Sequence, residues 1–91
     1  MSRLAQYYGH MATEPQLIER TAQIVSQAMV AKNVSRRKLS ELTDISYGQM
    51  GRKLSGRTPF DLVELYVIAR ALRILPADLL PNEFRQGLVA A

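Results

Sequence analysis

The 91-residue sequence contains no cysteine, no tryptophan and only one histidine. Without cysteine the chain has no disulfide bridge and no thiolate zinc site, and His10 cannot form a metal site alone. No apolar run approaches the roughly 18 residues that a membrane-spanning helix needs. The first dozen residues also lack the apolar stretch of a secretion signal. We therefore expect a cytoplasmic protein with no metal and no cofactor.

The arrangements that enzymes use for catalysis are also missing. The sequence has no cysteine nucleophile, no pair of carboxylates at a useful helical spacing and no glycine-rich phosphate loop. His10 lies in a segment without periodicity and is a poor candidate for a catalyst. We therefore predict a protein that binds rather than an enzyme.

Charge is unevenly distributed along the chain, whose net charge is +4. Residues 32–57 hold seven basic and two acidic residues, a net +5, whereas the remainder holds five basic and six acidic residues, a net −1. A basic excess in one segment is typical of a surface that binds a polyanion. A solvated basic face would have the same composition, so other signals have to decide between the two.

The apolar pattern predicts helices and no strands, and the length favours one domain with a modest core. We interpret residues 1–12 as an arm, either flexible or docking, in which Gly9-His10-Met11 also resembles the remnant of a cloning site. The first helix is predicted from Thr13, which with Gln16 has capping-box spacing, to about Lys32. Asn33 is the expected stop, and the inward face carries Leu17, Ile18, Thr21, Val25, Ala28 and Met29.

Two short helices are predicted next. Ser35 should cap the second helix, which carries Leu39 and Leu42 inward and ends near Thr43. After a connection at residues 44 and 45, Ser46 should cap a third helix over residues 47–54, and Gly56 follows its end. Helices joined by so tight a turn have to cross steeply, as in a helix-turn-helix.

Two further helices complete the predicted domain of residues 13–81. Asp61 should cap the fourth helix, over residues 62–72, and Pro76 should begin a short fifth helix that Pro81 stops. Residues 82–91 form a tail. The inward residues of these helices are Leu65, Ile68, Ala69, Leu72, Leu79 and Leu80, and the tail has a weak apolar face of Phe84, Leu88 and Val89.

The segment VSRRKLSELTDIS at residues 34–46 resembles the helix-turn-helix of the Xre/Cro family, the lambda-repressor-like DNA-binding domains. So does its continuation through Met50, Gly56 and Pro59. The segments IARAL at residues 68–72 and PADLL at residues 76–80 resemble the last two helices of that fold. The resemblance covers about residues 17–81 and implies a compact all-α domain of five helices that binds double-stranded DNA.

Three residues depart from the family pattern. Ser40 stands where alanine is usual, Asp44 where glycine is usual at the turn, and Arg36 where glutamine is frequent. Serine is still small enough to pack between helices, and aspartate tolerates a positive φ better than most residues. Arginine is a stronger phosphate ligand than glutamine, but it puts a family-like capping network in doubt.

The base-contacting residues are expected on the outer face of the third helix. At about 100° per residue, Met50 and Leu54 share one side, which should face the core, and Arg52 lies opposite them. Arginine can donate two hydrogen bonds to guanine, and glutamine can pair with adenine. The family comparison adds Tyr47, for which we expect a split role with a partly packed ring. The predicted base-contacting residues are Tyr47, Gly48, Gln49 and Arg52.

Phosphate contacts are expected where the two short helices begin and where the third one ends. Three cations in the first turn of the second helix oppose the helix dipole, and a bound phosphate would relieve this by accepting backbone N–H groups and pairing with guanidinium groups. The alternative is that these long side chains simply reach into water. The predicted phosphate-contacting residues are Ser35, Arg36, Arg37, Lys38, Ser46, Lys53, Ser55 and Arg57.

The glycines of the third helix have two readings, since Gly48 and Gly51 each weaken a helix. Either the helix backbone approaches DNA closely, or it packs closely on the second helix, which suits Gly51 better. On helix four, Tyr66 is expected in the core or at a dimer surface.

The function favoured by these observations is a phage-type or Cro-like transcription regulator that binds a palindromic operator as a homodimer. Helix five and the tail are the expected dimer surface. The alternative is an antitoxin or another protein-interaction module, with the arm or the tail contacting the protein partner and DNA binding secondary.

Overall fold

A computed structural model describes residues 13–84 of the chain. Helix α1 spans Glu14–Ala31 and begins with the expected capping box, in which the Thr13 side chain accepts from the Gln16 N–H and the Gln16 side chain accepts from the Thr13 N–H. Asn33, just beyond the helix, has a φ of 56°, which lets the following N–H reach back to the carbonyl of Met29 at 2.9 Å. Both predicted boundaries of this helix are confirmed.

Helices α2, Arg36–Thr43, and α3, Tyr47–Leu54, form the expected pair of short helices. Ser35 accepts a hydrogen bond from the N–H of Lys38, and Ser46 accepts one from the N–H of Gln49. Between the helices Asp44 has a left-handed backbone with a φ of 63°. The turn therefore has the geometry for which glycine is the usual residue, and aspartate accommodates it.

Helix α4 spans Leu62–Leu72, as predicted, and Asp61 forms a second capping box with Glu64. Beyond it the expected fifth α-helix is absent, since Pro76–Leu79 form one 3₁₀ turn, and a second 3₁₀ turn spans Asn82–Phe84. Pro81 explains the correction, because a proline biases the preceding residue toward extended backbone. Leu80 has ψ 139°, so the helix cannot propagate.

The core lies between the four helices, where α2 packs on α3 and α4, and α1 packs on α3. All four predicted core residues of α4 are buried, and the first 3₁₀ turn packs on α4 and α1 through Leu79. The buried apolar residues that form this core are Val25, Met29, Leu39, Ile45, Met50, Leu65, Ile68, Ala69, Leu72 and Leu79.

The inward faces of α1 and α2 differ in detail from prediction. In α1, Val25 and Met29 are buried as expected, but the other predicted residues are only partly buried and Ala22 is buried in addition. In α2, Leu42 is 47% exposed and was wrongly expected inside, whereas Thr43 is buried. Thr43 lies one helical turn after Leu39, and its hydroxyl donates to the Leu39 carbonyl at 2.7 Å, which satisfies the buried oxygen.

An ion pair between Arg20 of α1 and Glu83 ties the end of the described chain to the first helix. Residues 1–12 and 85–91, which contain the predicted arm and most of the predicted tail, lie outside the described residues. Over residues 13–84, no helix combines the length and the apolar character that a membrane crossing demands.

Candidate nucleic-acid interface

Helix α3 has one face in the core and one face in solvent. Met50 is fully buried, and Leu54 is partly buried against the same core. Gly48, Gln49 and Arg52 are exposed on the other side. The angular prediction for these residues is confirmed, so a helix of eight residues presents one glycine, one amide and one guanidinium outward. In the described part of the chain, the Gln49 and Arg52 side chains have no hydrogen-bond partner.

Tyr47 begins α3 and has the split environment expected for it. Its side chain is 47% exposed, yet the Arg36 guanidinium carbon lies 3.6 Å from the ring centroid and that of Arg37 lies 5.2 Å away. The ring is therefore held by cations of α2 rather than by the apolar core. Part of the ring stays available to a ligand.

The two glycines of α3 have different surroundings. A Cβ built on Gly48 would meet only the end of Arg52, at 3.8 Å, so this part of the helix faces open space. A Cβ on Gly51 would lie 2.4 Å from an Arg36 nitrogen and 2.6 Å from its guanidinium carbon. Close packing on α2 therefore accounts for Gly51, whereas Gly48 leaves the helix backbone accessible.

The first turn of α2 divides its three cations between two roles. Arg37 and Lys38 are exposed and have no hydrogen bond from their side chains among residues 13–84. The Arg36 side chain instead turns toward α3 and donates to the Tyr47 carbonyl oxygen from Nε at 3.1 Å and from Nη2 at 2.7 Å. The expected phosphate contact of Arg36 stays a prediction, but its guanidinium already has a partner within the protein.

The predicted phosphate-contacting residues at the far end of α3 are also unlike one another. Arg57 is exposed, whereas the Lys53 side chain is only 12% exposed. The Lys53 ammonium donates to the Glu64 carboxylate at 2.9 Å and to the Pro59 carbonyl at 3.2 Å. Ser55 donates its hydroxyl to the Arg52 carbonyl at 2.9 Å. Lys53 thus joins α3 to α4, and only Arg57 extends freely from this end.

The serine caps keep a donor for a ligand. The hydroxyls of Ser35 and Ser46 accept from backbone N–H groups, and this leaves each O–H bond able to donate. Together with Arg37, Lys38, Arg52 and Arg57, they give the start of α2 and the outer side of α3 a set of exposed donors and positive charges. Such a set matches the oxygen atoms and charge of a phosphate backbone.

Sequence reasoning missed two side-chain interactions that shape this surface. The pairing of Arg36 with Tyr47 and that of Lys53 with Glu64 each join residues 11 positions apart on different helices. A non-helical connection lies between the two residues of each pair, so the periodicity of a single helix does not relate them and only the crossing of the helices brings them together. For Arg36 the one available signal was Gly51, a glycine inside a short helix next to the segment that carries the arginine.

A family model described as a Cro/C1-type HTH DNA-binding domain matches residues 25–83, well over half of the chain. The chain belongs to this family. The match contains α2, the turn and α3, as well as α4, the first 3₁₀ turn and two of the three residues of the second, so the Cro/C1-type assignment covers the core together with the exposed face of α3. Searches of curated proteins and of solved structures find no significant match.

Proposed function

We propose that this Cro/C1-type domain acts as a transcription regulator, phage repressor-like or Cro-like, with α3 in the major groove of a double-stranded operator. The single observation that carries the proposal is the exposed face of α3, where the Arg52 and Gln49 side chains have no hydrogen-bond partner within residues 13–84 and lie beside Gly48. A bidentate arginine reads guanine and a glutamine reads adenine. Tyr47 adds a partly exposed ring at the start of the helix.

Phosphate contacts on both sides of the groove complete this arrangement. The first turn of α2 contributes Ser35, Arg37 and Lys38, and Ser46 lies at the start of α3. Ser55 and Arg57 lie beyond the end of α3. Backbone contacts of this kind set the register of the helix on the duplex, while the α3 side chains read the bases. The protein would act by binding, without catalysis, in the cytoplasm where the chromosome lies.

Selection of bound duplexes from a random pool, followed by affinity measurements on the selected site, tests this proposal. Arg52→Ala should weaken binding about 10- to 100-fold and relax the preference at one base pair, because one bidentate contact is lost. The control Arg73→Asn removes the same charge from a left-handed position that asparagine tolerates, and it should bind normally. Equal losses in the two variants would contradict the assignment of Arg52 to a base.

We also propose that the regulator is a homodimer on a palindromic operator. One helix of eight residues reaches few base pairs, and two copies about 34 Å apart on one face of DNA multiply the specificity. An exposed apolar groove supports this proposal, since its lining has no charged side chain, and two copies that meet there bring no like charges into contact within the groove. The groove is lined by Leu62, Val63, Leu65, Tyr66, Pro76, Ala77 and Leu80.

Sedimentation equilibrium tests the dimer with two matched variants. Val63→Glu places a charge in the groove and should give a monomer with weaker operator binding. Val30→Glu places the same charge at an exposed position of α1 and should change neither property. A chain that is monomeric at all concentrations and selects sites without symmetry would overturn the homodimer.

The same groove favours one alternative, a protein-interaction module such as an antitoxin. In that case a different protein fills the groove, and Val63→Glu abolishes that complex while Arg52→Ala leaves it intact. The homodimer therefore predicts that Val63→Glu converts the isolated chain from a dimer to a monomer, whereas this alternative predicts no change in its oligomeric state.

A further inference from the structure

Of the three cations in the first turn of α2, Arg36 is the one whose side chain hydrogen-bonds to α3 within residues 13–84. Two of its nitrogen atoms donate to the Tyr47 carbonyl, and its guanidinium plane lies over the Tyr47 ring at 3.6 Å. The side chain thereby contacts the backbone and the ring of one residue at once. Its position is partly buried, whereas its neighbours Arg37 and Lys38 are exposed.

The place that this guanidinium occupies exists because residue 51 is glycine. Gly51 lies one helical turn after Tyr47, so both residues face α2. Three atoms of the guanidinium lie within 3.0 Å of the position that a Cβ would take. Any side chain at position 51 therefore displaces the guanidinium from the Tyr47 carbonyl, from the ring, or from both.

We propose that Arg36 is a positioning residue for base recognition, which orients Tyr47 instead of binding a phosphate. In this proposal the absence of a side chain at Gly51 makes room for the Arg36 guanidinium. This inference depends on the proposed function, in which Tyr47 lies at the groove. An exposed tyrosine at the start of a helix has several rotamers available. A guanidinium stacked on its ring restricts them, so the ring reaches DNA in one orientation and discriminates more sharply between base pairs.

The packing of the Arg36 guanidinium against Gly51 is tested without DNA by a double-mutant cycle in thermal unfolding. With Arg36 present, Gly51→Ala should lower Tm or leave it unchanged, because the new methyl group displaces the guanidinium. In an Arg36→Ala background the same change should raise Tm by about 3–5 °C, since alanine favours a helix over glycine and nothing opposes the methyl group. An equal effect of Gly51→Ala in both backgrounds would show that Arg36 and Gly51 are not coupled and would overturn this part of the proposal.

The recognition role is tested on the selected operator by base preference and by salt dependence. Arg36→Ala should broaden the base preference at the position nearest Tyr47 while the slope of log affinity against log salt stays near that of the unaltered protein. In a Tyr47→Ala background, Arg36→Ala should have no further effect on base preference. Lys38→Ala is the matched control, and it should weaken binding to all sequences alike and reduce the slope by about 0.9, the value for one phosphate.

Two results distinguish failure of this inference from failure of the proposed function. If Arg36→Ala reduces the salt slope by about 0.9 and keeps the base preference, Arg36 is a phosphate contact and the positioning role is overturned. If the unaltered protein selects no DNA sequence, the proposed function fails. The unfolding cycle still decides whether Gly51 makes room for the Arg36 guanidinium.

Discussion

Helices α3 and α4 differ in how much of each is buried in the core. Helix α4 buries four of its eleven residues and forms much of the core, whereas α3 buries only Met50 of its eight and includes two glycines. An isolated helix as short as α3 is marginal in water, and glycine weakens it further. The helix that we propose to face DNA therefore depends on contacts with its neighbours for its stability, whereas the helix that builds the core is stabilised by burial of its own apolar face.

Two polar side-chain interactions connect α3 to the neighbouring helices α2 and α4. Arg36 donates to the carbonyl of Tyr47 at its start, and Lys53 pairs with Glu64 of α4 near its end. Both interactions lie away from the exposed face of Gly48, Gln49 and Arg52. A helix fixed in this way can present polar side chains to a ligand without contributing much apolar surface to the core.

The largest difference between the two helices is expected from the core itself. Ile68→Ala on α4 removes a fully buried side chain and should lower the free energy of unfolding by about 2–5 kcal/mol, measured by urea denaturation. Val30→Ala on α1, at a position 81% exposed and outside the proposed dimer groove, should change it by less than about 0.5 kcal/mol. Should the first variant not fold, Ile68→Val should still lose about 0.5–1.5 kcal/mol. Equal losses at residues 30 and 68 would contradict a core built on this face of α4.

The ion pair between Lys53 of α3 and Glu64 of α4 should contribute less to the free energy of unfolding than the core does, but by a measurable amount. Lys53→Met leaves Glu64 partly buried without its cation and should lower the free energy of unfolding by about 1–2 kcal/mol. Arg57→Met, at an exposed position just beyond α3, should have little effect on stability and should reduce the salt slope of DNA binding. If instead Lys53→Met reduces that slope and leaves stability unchanged, the lysine is a phosphate contact after all.

Two serines of the α2 region should respond to alanine in opposite directions. The Ser40 hydroxyl oxygen is buried and has no hydrogen-bond partner within residues 13–84, so Ser40→Ala should raise the free energy of unfolding by about 1 kcal/mol. Ser35→Ala removes the cap that accepts from the Lys38 N–H and should lower it by about 1 kcal/mol. Thermal unfolding by circular dichroism measures both. A loss of stability in Ser40→Ala would mean that the hydroxyl has a partner.

The smallest expected effect on stability separates folding from binding within α3. Gly48→Ala meets no neighbour closer than 3.8 Å and should raise the free energy of unfolding by about 0.5 kcal/mol. The added methyl group lies on the exposed face, so operator affinity should fall although the protein is more stable. Calorimetry and operator titration of the same preparation measure the two effects. An unchanged affinity would show that DNA does not approach the helix backbone at residue 48.

Prediction from the sequence succeeded where a local rule determines structure. The caps at Thr13, Ser35, Ser46 and Asp61 follow from side chains that accept from backbone N–H groups three positions on, and the stop at Asn33 follows from the left-handed backbone that asparagine tolerates. The exposed face of α3 follows from the helical period. The fifth helix was overestimated because a proline at each end of a short segment leaves room for one turn only.

What the amino-acid sequence determined by itself is the helical order of this domain, its basic segment and the face of α3 turned to solvent, because capping and periodicity act over a few residues. What only the tertiary structure decided is which cations stay free. Arg36, Arg37, Lys38 and Lys53 look alike in sequence, yet the crossing of the helices places Arg36 over Gly51 and Lys53 beside Glu64. Charge can be counted along a chain, but its availability depends on what lies within reach after folding.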